Sequence, residues 1–414
     1  MSFSHRSTRV WAAALIVAAG WTVAGCTLLG GKPKPQPMPE AVAPPVVAPS
    51  APITVAPLTP VVPPAAAAPE PGSKVPVALL LPLSGPSAAL GQAMLDAAQM
   101  ALFEIPDNRV ALLVRDSGGT GPKAAAAAQS ALGAGARLII GPLLAPEVEA
   151  VKALVQGTGI SIVAFSTAAQ LAGNGTWLLG FDPRQEIERV VAYAHAHGRD
   201  RFAALAPEGA YGDIAVAALR DATQLTGASL GRIARYDPAA PNYGGAVQSF
   251  AAGGTDFDAT LLAEGGARLK ALAPLLPYYG VDPDQVKLLG TGLWADATIG
   301  TEPALEGGWY AAPMPQVRLD FEKRYAALYK DTPPLLATLG YDATALAAVL
   351  AKTDGTPDFS MAALTNPSGF SGLNGIFRLR DDGIVERGLA VLEVHRTGAT
   401  VIDPAPTTFQ RPGY

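Results

Sequence analysis

With one cysteine in 414 residues, the chain cannot build an internal disulfide framework, so its stability has to come from burial. Basic clusters are also missing. Lys and Arg number 30 against 35 Asp and Glu, and no dense basic stripe offers the sequence-independent grip on phosphate that nucleic acid requires. Nucleic acid is therefore not an expected partner. Beyond the apolar run at 10–20, no hydrophobic stretch reaches the roughly 20 residues of a membrane span. There is no G-x-G-x-x-G, P-loop, H-E-x-x-H or paired-cysteine motif, hence no expected metal site and no expected cofactor.

Two weak chemical patterns remain. Gly227-Ala228-Ser229-Leu230-Gly231 fits G-x-S-x-G, but a nucleophile elbow needs a strand before the serine and a helix after it. Here a helical stretch precedes and a β-rich run, 232–236, follows. His195 and His197 form H-x-H near a helical end, where side chains two residues apart diverge and attraction to the helix C-terminus accounts for them. Catalysis has no supported residue, and the chain reads as non-catalytic.

What is present begins with the position of the cysteine. Arg6 and Arg9, the apolar run 10–20 and Val23-Ala24-Gly25-Cys26 follow the order of a secretory signal ending in a lipobox. Residues 1–25 are expected to be removed, with Cys26 as the lipid attachment site. That cut takes two basic residues and no acidic ones, leaving 28 Lys and Arg against 35 Asp and Glu, a net charge of −7. Residues 26–74 then form a linker. Between 33 and 71 there are fourteen prolines in 39 residues, no glycine and almost no charge. Proline removes backbone donors and fixes φ, so this reads as a disordered, extended tether with a reach on the order of 100 to 150 Å at polyproline rise.

After Lys74 the pattern becomes apolar β-rich runs alternating with Ala-rich helical stretches. Strands are expected at 75–81, 110–116, 137–140, 160–164, 201–206, 229–236, 259–263 and 287–289. Most are continuously hydrophobic, as strands covered on both faces are. Helices at 92–105, 123–132, 147–156, 185–197, 212–225, 243–251 and 268–278 supply the crossovers that parallel strands need. Some 340 residues exceed what one hydrophobic core holds, so two lobes are expected.

The runs VALLLPLSGPSAALG (77–91), ALLVRDSGG (111–119), LIIGPLLAPEVEAV (138–151) and ISIVAFSTA (160–168) resemble, in that order, the type I periplasmic-binding-protein fold of leucine-binding receptors. Later landmarks follow in place: AYGDIAVAAL (210–219), DFDATLLAEGG (256–266), EGGWYAAP (306–313), FEKRYAALYKDTPP (321–334), GYDATALAAVL (340–350) and the stretch 370–394. The resemblance implies an α/β fold of two doubly wound, Rossmann-like lobes joined by three crossing strands, near 181–183, 311–313 and 378–379. The binding domain would span 75–402, with lobe one at 75–182 and 313–377 and lobe two at 183–312 and 378–402. Residues 403–414 would be a C-terminal tail.

The same resemblance names candidate cleft residues: Ser84, Ser166, Thr167, Tyr211 and Glu264. It also shows departures, because amino-acid receptors of this kind carry a serine where this chain has Ala145 and a tyrosine where it has Leu90. Capping of nearby backbone by Ser84, Ser166 and Thr167 is the alternative role; for Tyr211 it is packing. Asp116 and Asp182 read as turn-shaping residues. The lipobox and tether ahead of this fold resemble the penicillin-binding protein activator lipoproteins, although a proline-rich tether stands where longer members have a helical-repeat domain. That resemblance implies an outer-membrane lipoprotein facing the periplasm and regulating a bifunctional penicillin-binding protein, a peptidoglycan synthase. The alternative is a solute-binding receptor of an ABC importer, with an amino acid or related small molecule as ligand.

Cys26→Ala is expected to leave folding intact and to move the protein out of the membrane fraction, since stable anchoring takes two or more acyl chains. Fractionation after a salt wash checks this; a variant that still sediments with the outer membrane would sink the anchor.

Overall fold

In the computed structural model, which describes residues 73–106, 109–296, 298–352 and 356–409, the first apolar run is a strand, β1 (Val75–Leu81). Val75, Val77, Leu79 and Leu81 enter one core; Ala78 and Leu80 enter another. This is the period of two of a strand buried on both faces. The signal peptide, Cys26 and the proline-rich stretch 33–71 lie outside the described residues.

Four strands join β1 in parallel: β2 (Val110–Asp116), β3 (Leu138–Ile140), β4 (Ser161–Ala164) and β5 (Thr176–Leu178), in the order β2-β1-β3-β4-β5. Helices α1 (Ala88–Glu104), α2 (Gly121–Gly133) and α3 (Ala145–Val155) make the crossovers. Lobe two repeats the plan. After α4 (Pro183–Ala196) come β6 (Arg201–Pro207), α5 (Ala210–Thr226), β7 (Ser229–Tyr236), α6 (Gly244–Ala251), β8 (Ala259–Leu262), α7 (Gly266–Leu272), α8 (Leu275–Tyr278), β9 (Lys287–Gly290) and β10 (Trp309–Ala312). Their order is β7-β6-β8-β9-β10, again parallel. The chain then returns to lobe one as α9 (Pro315–Tyr329) and α10 (Ala337–Lys352), followed by α11 (Met361–Leu364) and a small antiparallel sheet of β11 (Phe370–Gly372), β12 (Gly375–Leu379) and β13 (Val385–Arg387). Finally β14 (Ala390–His395) extends the second sheet antiparallel to β10, and β15 (Gly398–Asp403) pairs antiparallel with β14.

Two expectations shift. The helix expected at 268–278 is broken into α7 and α8, because Pro274 has no amide to continue the ladder. The third passage between lobes, expected at 378–379, comes after Arg387. Phe377, Leu379 and Val385 still belong to the lobe-one core, and Ile384 bridges to Leu178 at the edge of its sheet, so the chain leaves lobe one only to enter β14. Beyond β15 it turns back. Ala405 packs on the lobe-two core, and the Phe409 ring lies 4.8 Å from the Arg378 guanidinium of β12.

The repeat extends to one tight contact in each lobe. A Cβ on Gly91 of α1 would sit 2.2 Å from the Pro82 carbonyl oxygen, and one on Gly212 of α5 would sit 1.8 Å from that of Pro207. In both lobes a proline carbonyl at the end of the first strand meets the first turns of the following helix, and only glycine allows that approach. Gly212→Ala is expected to lower stability by about 3 kcal/mol, the upper range for overpacking a rigid site. Urea unfolding measures it; a loss under about 0.5 kcal/mol, typical of surface substitutions, would mean the contact is soft.

Candidate functional site

Doubly wound sheets receive ligands outside the carboxyl ends of their strands, where the strand order reverses. In lobe one the loops at that point are already satisfied. Asp116 accepts the backbone N–H groups of Leu83 (2.9 Å), Ser84 (3.2 Å) and Gly118 (2.8 Å). The Ser84 hydroxyl, foremost, and these amides hold its carboxyl below the usual carboxylate range. Ser166 is buried, and its Oγ accepts the amide of Ala168 at 3.2 Å; Thr167 is exposed. Where Ala145 opens α3, the group facing the first turn is Glu147, fully buried, with Oε1 accepting from Gly119 N–H at 2.9 Å and Oε2 from Leu144 N–H at 3.1 Å. The chain's own carboxylate thus takes amide donors of the kind an anionic ligand needs.

In lobe two, Glu264 is also spoken for. It is buried and accepts from the Tyr236 hydroxyl at 2.8 Å, Gly265 N–H at 3.0 Å and Arg268 Nε at 2.9 Å, contacts that anchor the start of α7. Tyr211 stands apart. Its hydroxyl pairs with Thr291 Oγ1 at 2.8 Å, burial raises its phenol well above the usual range, and it lines a cavity of about 600 Å³. That cavity lies beside the passages between lobes, bounded by Arg318 and Leu319 of α9 on one side and Tyr310 and Leu392 of the second sheet on the other. Ser84, Ser166, Thr167 and Glu264 do not line it.

Of the polar wall residues that escaped the sequence reading, two bury a carboxyl or an amide. Glu186, on the first turn of α4, is 8% exposed and accepts Gly292 N–H at 2.8 Å. Burial pushes its carboxyl up to about 7, helped by Asp182 and opposed by the Gly292 amide and Arg387. Asn374, fully buried, donates Nδ2 to Thr338 Oγ1 at 2.8 Å and to Asp342 Oδ2 at 3.2 Å; its Oδ1 has no partner among the described residues. A buried cation completes the cluster. Arg387 donates Nη2 to Leu179 O at 2.6 Å and lies over the rings of Phe181 (4.9 Å) and Phe377 (5.6 Å), while Nε and Nη1 have no partner among the described residues. Burial pulls it down to about 10 against the attraction of Asp342 and Glu186, and burial pushes Asp342 up. An acidic residue in a first helical turn reads as a dipole partner, so the only signal in sequence was that Glu186 falls on the apolar side of α4, with Ile187 and Val190.

The histidines and the G-x-S-x-G serine join no such cluster. His195 Nδ1 lies 2.8 Å from Asp200 Oδ1, His197 Nδ1 lies 2.7 Å from Tyr193 O, and Ser229 donates to the Asp200 carbonyl at 3.1 Å. Among the described residues no three His, Cys, Asp or Glu converge on a metal position, and no helix is long and apolar enough to cross a membrane.

The sequence profile of the periplasmic binding protein family matches residues 74–399. The chain belongs to that family. A putative branched-chain amino acid ABC transporter protein from Rhodospirillum rubrum has the same fold, with a TM-score of 0.69 and 20% identity over 80% of this chain and 100% of that one. A solute binding protein of an ABC transporter from Rhodopseudomonas palustris BisB5, in complex with 3,4-dihydroxybenzoic acid, aligns with a TM-score of 0.59 and 16% identity over 80% and 96%. An uncharacterized protein of Rickettsia prowazekii is 25% identical over 138 residues, which are 33% of this chain and 37% of that relative. Such identities carry the fold and leave the ligand to be argued from the site.

For this periplasmic binding protein, Glu186 sets a pH dependence. Its raised pKa means that the native state keeps a proton which the unfolded state, with a glutamate near 4.3, has released. Stability is therefore full below about pH 4 and falls as pH rises to 7, by about 4 kcal/mol in all. Glu186→Gln keeps an acceptor for Gly292 and is expected to abolish that part of the slope, leaving the variant more stable than the wild type above pH 7. Urea unfolding at pH 5 and pH 8 checks it; identical slopes would place Glu186 in a wetter setting.

Proposed function

We propose that this periplasmic binding protein is a solute receptor of the cell envelope, binding a small molecule between its lobes for delivery to an ABC importer. The observation that carries the reading is the cavity of about 600 Å³, whose walls come from both lobes and are mostly apolar with a few convergent polar groups, the composition of ligand sites. A site divided between two lobes makes ligand binding favour closure, since the bound molecule contacts both walls only when they approach. The transporter proteins that share the fold support the same reading. The strand ends of lobe one do not favour an α-amino acid there, because Ala145 lacks a hydroxyl and Glu147 occupies the amides nearby.

A second reading, regulation of a peptidoglycan synthase from an outer-membrane anchor, is favoured by the lipobox at Cys26 and the proline-rich stretch 33–71, which suit a domain held away from its membrane. The two readings separate experimentally. Leucine, isoleucine and valine are expected to leave the melting temperature unchanged, whereas a cognate solute at one hundred times its Kd stabilises by about 2.7 kcal/mol. A fluorimetric melting screen checks both. A clear upward shift with any of the three amino acids overturns the argument from Glu147; no shift with any solute, together with recovery of a penicillin-binding protein from solubilised envelope, moves the assignment to the synthase regulator.

A further inference from the structure

Among the charged groups of the cavity wall, carboxylates outnumber cations. Asn374 Oδ1 is unpartnered although its residue is fully buried, and its amide orientation is fixed because Nδ2 faces the Asp342 carboxylate. Glu186 commits Oε2 to Gly292 N–H, which leaves acceptor capacity on a wall residue. Asp296, also on the wall, has Oδ1 engaged by Thr298. The wall cation, Arg318, is paired with Glu322 on its own helix. The wall thus carries three carboxylates, Glu186, Asp296 and Glu322, to one guanidinium, and the buried cluster behind the hinge sets Glu186 and Asp342 against Arg387. A ligand carboxylate would add like charge to a poorly solvated site. An ammonium group would balance it and supply the missing donors.

Resting on the reading that this cavity receives a solute, we propose that the solute is a cationic amine with an apolar body, its ammonium group held by the Glu186 carboxylate. Leu319, Leu336, Tyr310 and Leu392 line the remainder of the same cavity and would cover the apolar body. The groups that tune Glu186 are Asp182 on its own helix, the Gly292 amide after β9 and Arg387 on β13, with the Tyr211 phenol on α5 also coupled to it. An amine stays protonated near neutrality, so its binding should follow ionisation of Glu186 and strengthen as pH rises.

Isothermal titration of the purified full chain with 2-phenylethylamine and hexylamine, against 3-phenylpropionate and hexanoate, tests this at pH 6 and pH 8. The amines are expected to bind, roughly tenfold more tightly at pH 8, because the ionised fraction of a carboxyl titrating near 7 rises from about one tenth to about nine tenths. Glu186→Gln is expected to weaken amine binding at least about tenfold and to flatten the pH dependence. Its melting curve reports folding; should it not fold, the wild-type pH dependence and the amine-against-acid comparison decide. Binding of the acids without the amines overturns the amine assignment and leaves the receptor reading standing. Equal amine affinity in the variant also overturns it. If neither class binds, and a broad solute panel gives no melting shift, the receptor reading fails and this proposal with it.

Discussion

A buried guanidinium needs opposite charge nearby, and that around Arg387 comes from both halves of the molecule. Asp342 belongs to lobe one and Glu186 to lobe two, and the Leu179 carbonyl stands just before the first passage between them. The rings of Phe181 and Phe377 cover its flat faces, where a planar cation is well held. Gln185 reinforces the junction, its Nε2 donating to Val385 O at 2.6 Å and its Oε1 accepting Arg387 N–H at 3.0 Å. The first and third passages are thereby stitched together. Asp342 and Glu186 act on the guanidinium through their charge alone, while its one hydrogen bond to another group among the described residues goes to the Leu179 carbonyl.

Elsewhere the molecule is one plan used twice. Both sheets place their first strand second in order, and both close that strand with a proline carbonyl against a helical glycine, Pro82 with Gly91 and Pro207 with Gly212. The lobes diverge where chemistry is decided. In lobe one Glu147 fills the amides beside α3; in lobe two Tyr211 and the loop after β9 remain open to the cavity. On the proposed reading, the asymmetry assigns ligand recognition to the flank formed by α9 and the second sheet rather than to the strand ends of both lobes.

Much of the fold was legible in sequence because its strands are buried on both faces. The runs 75–81, 201–206 and 259–263 match β1, β6 and β8 to within one residue, since a continuous apolar stretch ending in turn residues has few other ways to be satisfied. The three-residue β5 is too short to show a period, and the delayed third passage depends on a pairing of Ile384 with Leu178 that lies far away in the chain. The site was less legible. Glu264 has the right residue type but is consumed by Tyr236 and Arg268, while Glu186, Asn374 and Arg387 are scattered over some two hundred positions and acquire their character only when packing removes water from them. Local sequence reports propensity; it does not report the dielectric a side chain will meet.

The segment beyond β15 adds a mechanical consequence. Asp403 is held by Arg189 at 2.6 Å, and six residues later Phe409 rests on Arg378 of lobe one, with the Pro406 carbonyl close to Gly388 at the third passage. Six extended residues span at most about 20 Å. The molecule is therefore built like a door with three hinges and a safety chain, whose links are the last described residues of the protein. Swinging the lobes apart would take up the slack in that chain and then break one cation–aromatic contact, worth about 1 kcal/mol, so the segment after β15 adds a light latch to the three passages.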